Sequence, residues 1–343
     1  MSKRFFLFAL LILLAACSRT AERDMYFLKG KEELLKQNYP LAYHYFTESL
    51  KKDSTLKEAW NNRGVTQFEL LHYQEAIADY TQALRIDSTF VDALHNRANA
   101  YFQQKQFTAA LQDLNRAIAC QPDSTYLRIN RGTVLLALQQ YQQALGDFEA
   151  ILARDPSHLE ALSNKGTALF YLKKYEQAAS CFEEVLRKNP SFHYALNNLG
   201  LIAAQAKNYS KAIEYYDKAI LLSPAHPFYL NNRGEAYLAL DQLDRAYEDL
   251  KRSLLYDSQN PYALKNMGVY YLKKQELEKA LNFLEKALAT EEKLPDARYF
   301  LAKTHALRND FHKACSFWKE HLLHEVAIDT PAFAKSCMNL TNK

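Results

Sequence analysis

Seven asparagines stand 34 residues apart: Asn62, Asn96, Asn130, Asn164, Asn198, Asn232 and Asn266. A carboxamide offers two donors and an acceptor, which matches a peptide group whatever side chain that peptide bears. A row of them suits two tasks, gripping the main chain of an extended peptide or bonding neighbouring backbone within the fold. At four of these steps the next residue is Arg63, Arg97, Arg131 or Arg233, and 16 residues beyond each stands Asp79, Asp113, Asp147 or Asp249. Elsewhere the arginine position holds Lys29, Lys165, Leu199, Met267 and Leu301, and the aspartate position holds Tyr45, Cys181, Tyr215, Phe283 and Phe317. Arginine and aspartate thus come and go together. They read as internal ion pairs exchanged elsewhere for apolar contact, since a guanidinium fork holds a carboxylate with two bonds. A basic stripe for an acidic ligand is the competing reading.

Other chemistry is missing from the sequence. No nucleophile elbow, Gly-rich phosphate loop, HExxH or paired-carboxylate pattern stands out from the periodicity. No catalytic residue, cofactor or metal is assigned. His305, His312, His321 and His324 crowd the C-terminal part near Cys315, but without a matched ligand set. The formal charge is only +4, with no long Lys/Arg run, which argues against nucleic acid as a partner.

These residues ride on a scaffold whose period is the same 34. With 24% charged and 48% hydrophobic residues but only 8 Gly and 9 Pro in 343, the chain reads as folded and helical. Blocks of 34 from Arg23 give nine repeats without insertion or deletion. The eighth block position is Gly or Ala throughout: Gly30, Gly64, Ala98, Gly132, Gly166, Gly200, Gly234, Gly268 and Ala302. The twentieth is always Ala, from Ala42 and Ala76 to Ala280 and Ala314. The twenty-fourth is large, from Phe46 and Tyr80 to Leu284 and Trp318. Small residues at positions 8 and 20 let two helices, A and B, approach closely, and the bulky side chain fills the gap beside them. Pro122, Pro156, Pro190 and Pro224 end helix B, while Pro227, Pro261 and Pro295 open the next helix A, where a missing N–H costs nothing.

This pattern resembles the tetratricopeptide repeat. The resemblance implies an all-α fold, a right-handed α-α superhelical solenoid of nine helical hairpins over residues 23–328, with a capping helix over 329–343. Each hairpin buries its apolar face by stacking on its neighbours. In that family helix A lines the concave face, which places the asparagine row there. Such a row is similar to the asparagine ladder of O-linked GlcNAc transferases, which holds extended peptides; nothing of their catalytic domain is present. Position 5 adds Asn61, His95, Ser163, Asn197, Asn231 and Lys265 to the same groove, and position 9 adds Asn99, Thr133, Thr167 and Glu235. Position 2 is acidic early and becomes aromatic at Tyr126, Tyr194, Phe228 and Tyr262. The carboxylate clamp of chaperone-binding members is not matched, because position 6 lacks its Arg and position 2 its Lys.

Two cysteine features complete the reading. Lys3 and Arg4 precede an apolar run, Phe5–Leu14, that is too short to span a bilayer and ends in Leu14-Ala15-Ala16-Cys17. This resembles a bacterial lipoprotein signal, in which residues 1–16 are removed and Cys17 is acylated, with 17–22 as linker. Several acyl chains hold a soluble domain stably at a membrane. At the other end, position 21 faces the next repeat along the chain. In the last repeat it is Cys315, and the segment after that repeat carries Cys337, so a disulfide stapling the cap is expected. Cys120 and Cys181 lie two repeats apart and read as small core residues.

Together these features point to a non-enzymatic scaffold of the cell envelope, an outer-membrane lipoprotein anchored in lipid through Cys17. Its partners would be other envelope proteins or extended peptides. A glycan- or small-ligand-binding lipoprotein using Tyr194, Phe228 and Tyr262 as stacking platforms is the alternative.

Overall fold

The computed structural model describes residues 20–324 together with Cys337. Cys17, the signal segment and most of the expected capping segment 329–343 lie outside these residues. All regular structure among the described residues is α-helical. The chain divides into two compact units, at residues 174 and 175.

The N-terminal unit carries α1 (20–35), α2 (Tyr39–Lys52), α3 (Lys57–Glu69), α4 (Tyr73–Ile86), α5 (Val91–Gln103), α6 (Phe107–Cys120), α7 (Thr125–Ala137), α8 (Tyr141–Leu152) and α9 (Leu159–Tyr171). Odd-numbered helices are A and even-numbered helices B. The C-terminal unit carries α10 (Tyr175–Lys188), α11 (His193–Gln205), α12 (Tyr209–Leu222), α13 (Pro227–Ala239), α14 (Leu243–Tyr256), α15 (Pro261–Lys273), α16 (Leu277–Thr290), α17 (Ala297–Leu307) and α18 (Phe311–His324). Within each unit neighbouring A helices touch, as α3 with α5 and α13 with α15.

Local chemistry sets the hairpin ends. After helix B, Asp53, Asp87 and Asp155 each accept the backbone N–H and hydroxyl of the residue two on, Thr55, Thr89 and Ser157. This local turn competes with further helix. Asn260 caps α15, its Oδ1 accepting from the N–H groups of Tyr262 and Ala263, with Pro261 at the first helical position. Pro295 departs from its expected place. It sits in a turn, Asp296 comes next with φ 59°, and α17 starts only at Ala297. Between A and B the chain turns through one left-handed residue, the same position in successive hairpins: Gln37, Leu71, Lys105, Gln139, Lys173, Lys207, Asp241, Gln275 and Asn309. None of these nine is glycine.

Packing obeys the small–small–large pattern. Ala42, Ala76, Ala110 and Ala144 in the first unit, and Ala178, Ala212, Ala246, Ala280 and Ala314 in the second, are fully buried. A Cβ built on Gly132 would lie 2.4 Å from Cε1 of Phe148. The corresponding approach is 2.6 Å at Gly64 to Tyr80 and 2.4 Å at Gly200 to Tyr216. The glycine is there because the aromatic ring occupies the space a methyl would need.

The four arginines take their aspartates in the bidentate manner. Nε and Nη2 of Arg63 donate to the two carboxylate oxygens of Asp79 at 2.8 and 2.6 Å. Arg97 holds Asp113, Arg131 holds Asp147 and Arg233 holds Asp249 in the same way, at 2.6–2.8 Å. The sequence reading missed the third contact. Nη1 of each arginine reaches helix B of the preceding hairpin, 16 residues back: Thr47, Thr81, Asn115 and Asp217. The pair therefore ties repeat to repeat as well as A to B. Its signal was a polar residue 16 positions before each arginine, matching the aspartate 16 after.

At the C-terminal end Cys315 and Cys337 form a disulfide packed on Ala302 and Trp318. Closing a loop of 22 residues is worth about 3 kcal/mol by chain entropy. Cys120 corrects the expectation of a core residue. It is exposed as the last residue of α6, beyond the buried Ala117 and Ile118.

Candidate functional site

The asparagine row lies on the A helices, and much of it is spent on the fold. In the first unit Nδ2 of Asn96 donates to Oδ1 of Asn61 on the preceding A helix at 3.0 Å. In the second, Asn232 donates to Asn197 and Asn266 to Asn231, both at 2.9 Å. Position 6 of one hairpin thus bonds position 5 of the one before. Asn61 and Asn231 pass the chain on, each donating to Oδ1 of the adjacent Asn62 or Asn232 at 3.3 Å.

Position 5 was expected in the groove, and the structure corrects this. Asn61, Ser163, Asn197, Asn231 and Lys265 are buried. Asn266 is a second correction: only 2% exposed and also bonded to Glu235 at 3.1 Å, it is sealed from any ligand. Asn62, Asn96, Asn130, Asn164, Asn198 and Asn232 remain partly exposed. Asn198 donates to the main-chain oxygen of Tyr194 at 2.9 Å. The position-5 residue preceding Asn164 is Ile129, which has no side-chain acceptor, so the ladder skips Asn164.

One break in the ladder produces a different geometry. The position-5 residue before Asn130 is His95, whose Nε2 accepts from Nδ2 of Asn130 at 2.7 Å and of Asn99 at 3.2 Å. Amide nitrogens only donate, so this ring nitrogen carries no proton. Burial pushes the His95 imidazole below its usual range, which keeps it neutral. Tyr126 stands edge-on to the ring at 5.1 Å. Beside this trio a cavity of about 260 Å³ opens between α3, α5 and α7. Its polar side is Asn99, Asn130, Thr133 and Gln103, and its apolar side is Phe68, Phe102 and Val134. Asn99, Asn130 and Thr133 of these were expected in the groove from the sequence. Phe68, Phe102, Gln103 and Val134 were not singled out, and placing them here requires knowing how adjacent A helices face one another.

In the second unit the aromatic residues of position 2 project from successive A helices. Tyr194 on α11 is 52% exposed, Phe228 on α13 45% and Tyr262 on α15 40%. They are not isolated. His226 stacks on buried Tyr229 with ring centroids 3.7 Å apart, and Tyr194 stands edge-on to His226 at 6.0 Å. His193 shares a 2.8 Å hydrogen bond with the Tyr229 hydroxyl. Burial, and then the neighbouring His193, push the His226 imidazole down. Toward the C-terminus, His305 is buried and stacks on Phe317, while His321 lies against Trp318 at 5.3 Å.

Comparisons with known proteins agree with this construction. Four tetratricopeptide-repeat family models match residues 58–90, 98–162, 163–229 and 229–260, together more than half of the chain. No curated protein sequence matches significantly. Among solved structures, the APC/C hetero-tetramer Cut9–Hcn1 aligns at TM-score 0.63 and 15% identity, over 92% of this chain and 75% of that one. PilW, a type IV pilus biogenesis factor, aligns at TM-score 0.52 and 22% identity, over 58% and 93%. YrrB, a TPR protein with an unusual peptide-binding site, aligns at TM-score 0.45 and 26% identity, over 54% and 95%. Stacked A–B hairpins, the family matches and the shared fold lead to one conclusion: this chain belongs to the tetratricopeptide-repeat family and is built as a protein-interaction scaffold.

Proposed function

We propose that this protein is a membrane-anchored, non-catalytic scaffold of the bacterial cell envelope that holds an extended peptide or partner segment on its A-helix faces. The observation that carries the reading is the cavity between α3, α5 and α7. It sets amide and hydroxyl groups of Asn99, Asn130 and Thr133 beside the apolar wall of Phe68, Phe102 and Val134. Alternating main-chain bonding and side-chain insertion is what an extended peptide needs. Within the same unit Asn62, Asn96 and Asn164 add partly exposed amides on the A helices, as Asn198 and Asn232 do on those of the C-terminal unit. Anchoring rests on the lipobox-like run ending at Cys17, and incorporation of labelled palmitate into the chain, lost in Cys17→Ser, tests it.

The experiment for the binding reading is photocrosslinking in cells from a probe at Gln103 on the cavity rim. The expected result is capture of a defined protein, lost when Asn99 and Asn130 become Ala. Capture that is unchanged in that variant, or that arises equally from probes on the B helices, refutes the site. Exposure of Tyr194, Phe228 and Tyr262 supports a second reading, a glycan or small ligand stacked on these rings. Retention of a sugar that is lost on replacing the three rings by Ala, and not on replacing the asparagines, favours it.

A further inference from the structure

The cavity of α3, α5 and α7 offers hydrogen-bond acceptors, and this fixes what a partner must bring to it. Asn99 and Asn130 both turn Nδ2 toward Nε2 of His95, at 3.2 and 2.7 Å. Each carbonyl oxygen is left for another partner, and neither bonds to a described residue. Thr133 spends its hydroxyl hydrogen on the Ile129 carbonyl at 3.0 Å, so its oxygen can only accept. Phe68 and Phe102 form the apolar wall beside these three oxygens, and no residue lining the cavity is charged. The charge around it has one sign in excess. Every arginine of α3, α5 and α7 is held by an aspartate of a B helix, and Lys57 by Asp87. In the flanking turns Asp53 is held by Arg23 and Asp123 by Arg154. The formal charges left over are the carboxylates of Glu58, which shares Lys57 at 4.0 Å, Glu69 and Asp92, against the ammonium of Lys105.

We propose that this cavity receives a lysine side chain of the partner segment. An ammonium group has three hydrogens and no acceptor, which the oxygens of Asn99, Asn130 and Thr133 match in number and kind. Phe68 and Phe102 attract a cation through their rings and cover the methylenes behind it. The space of about 260 Å³ holds one such side chain. Other side chains match less well. Arginine brings five hydrogens in a rigid plane, more than the oxygens offered. A carboxylate would meet oxygen with oxygen, and an apolar side chain would cover three acceptors without a hydrogen for any of them. His95 is a positioning residue here: by accepting from both amides it decides which end of each is turned away from the ring. The proposal rests on the peptide-binding reading and names one side chain within it.

The test titrates the full chain with N-acetyl-lysine methylamide and with its norleucine and arginine counterparts, read by saturation-transfer NMR. The lysine probe should bind about ten-fold tighter than the norleucine probe, which has the methylenes without the ammonium, and tighter than the arginine probe. Thr133→Val keeps the shape and removes one acceptor. It should weaken the lysine probe about ten-fold and leave the norleucine probe unchanged. His95→Leu, which releases both amides, should narrow the preference for lysine, and His95→Gln, which keeps an acceptor for them, should restore it. Unchanged far-UV circular dichroism verifies folding of each variant. Equal binding of the lysine and norleucine probes, tighter binding of the arginine probe, or a lysine preference untouched by Thr133→Val overturns the proposal. Its failure is distinct from failure of the peptide-binding reading. Crosslinked capture from Gln103 that still depends on Asn99 and Asn130, without any preference for the lysine probe, removes the lysine and leaves the peptide site standing.

Discussion

Gly132 and Gly146 lie on the two helices of one hairpin, α7 and α8, one buried and one exposed, and should respond oppositely to alanine. In mid-helix, alanine is favoured over glycine by about 0.8–1 kcal/mol. A Cβ at Gly146 meets nothing within 4 Å, so Gly146→Ala should gain about 1 kcal/mol. At Gly132 the same gain is opposed by a methyl 2.4 and 2.5 Å from Cε1 and Cζ of Phe148. That ring is fully buried and cannot swing into solvent. Overpacking costs about 1–3 kcal/mol, and so close an approach belongs at the upper end. Gly132→Ala should therefore lose about 1–2 kcal/mol net, leaving the two variants about 2–3 kcal/mol apart. The protein also contains the remedy. Where position 8 is Ala98, position 24 is Leu114, and both are buried. Gly132→Ala with Phe148→Leu should thus be more stable than the two single effects predict, by about 1 kcal/mol or more. Urea midpoints by far-UV circular dichroism on the full chain read all four variants. Gly132→Ala as stable as Gly146→Ala, or zero coupling in the double variant, refutes the close-approach account.

Asp113→Ala strands the Arg97 guanidinium in a half-buried site and should cost about 3 kcal/mol, whereas Arg97→Met with Asp113→Phe, copying Met267 and Phe283, should recover most of it; equal urea midpoints for the two would refute the ion-pair account. Leu71 holds φ at 64° on an exposed turn, so Leu71→Asn should raise the thermal midpoint with a gain of about 0.5–1 kcal/mol. Burial lowers the imidazoles of His95, His226 and His305 in the folded chain. The unfolded chain then binds more protons below about pH 6.5, so stability is full above that value and falls as pH drops through it. His305→Gln should flatten this dependence of the urea midpoint, and an unchanged slope would show that His305 titrates normally.

Much of this architecture is legible in the residues alone. The unbroken step of 34, the small residues at positions 8 and 20 and the large one at 24 require paired helices in close contact. The matching of Arg63 with Asp79, and of its three counterparts, marks a contact across the hairpin because arginine and aspartate appear at both positions or at neither. Cys315, on the face turned toward the segment beyond the last repeat, marks Cys337 as its partner. These are relations within one hairpin or along a strict repeat, where sequence distance fixes spatial distance.

What only the tertiary structure decided lies between hairpins. Whether a position-6 asparagine meets a ligand or the previous helix depends on how one A helix is rotated against the next. That rotation buries Asn61, Asn231 and Asn266, and it turns His95 into an acceptor for Asn99 and Asn130. The third bond of each arginine and the cavity of α3, α5 and α7 have the same origin. A one-dimensional period states which positions are equivalent. Helix packing angle and side-chain reach set which of them touch, and those depend on the volume of every residue at the interface.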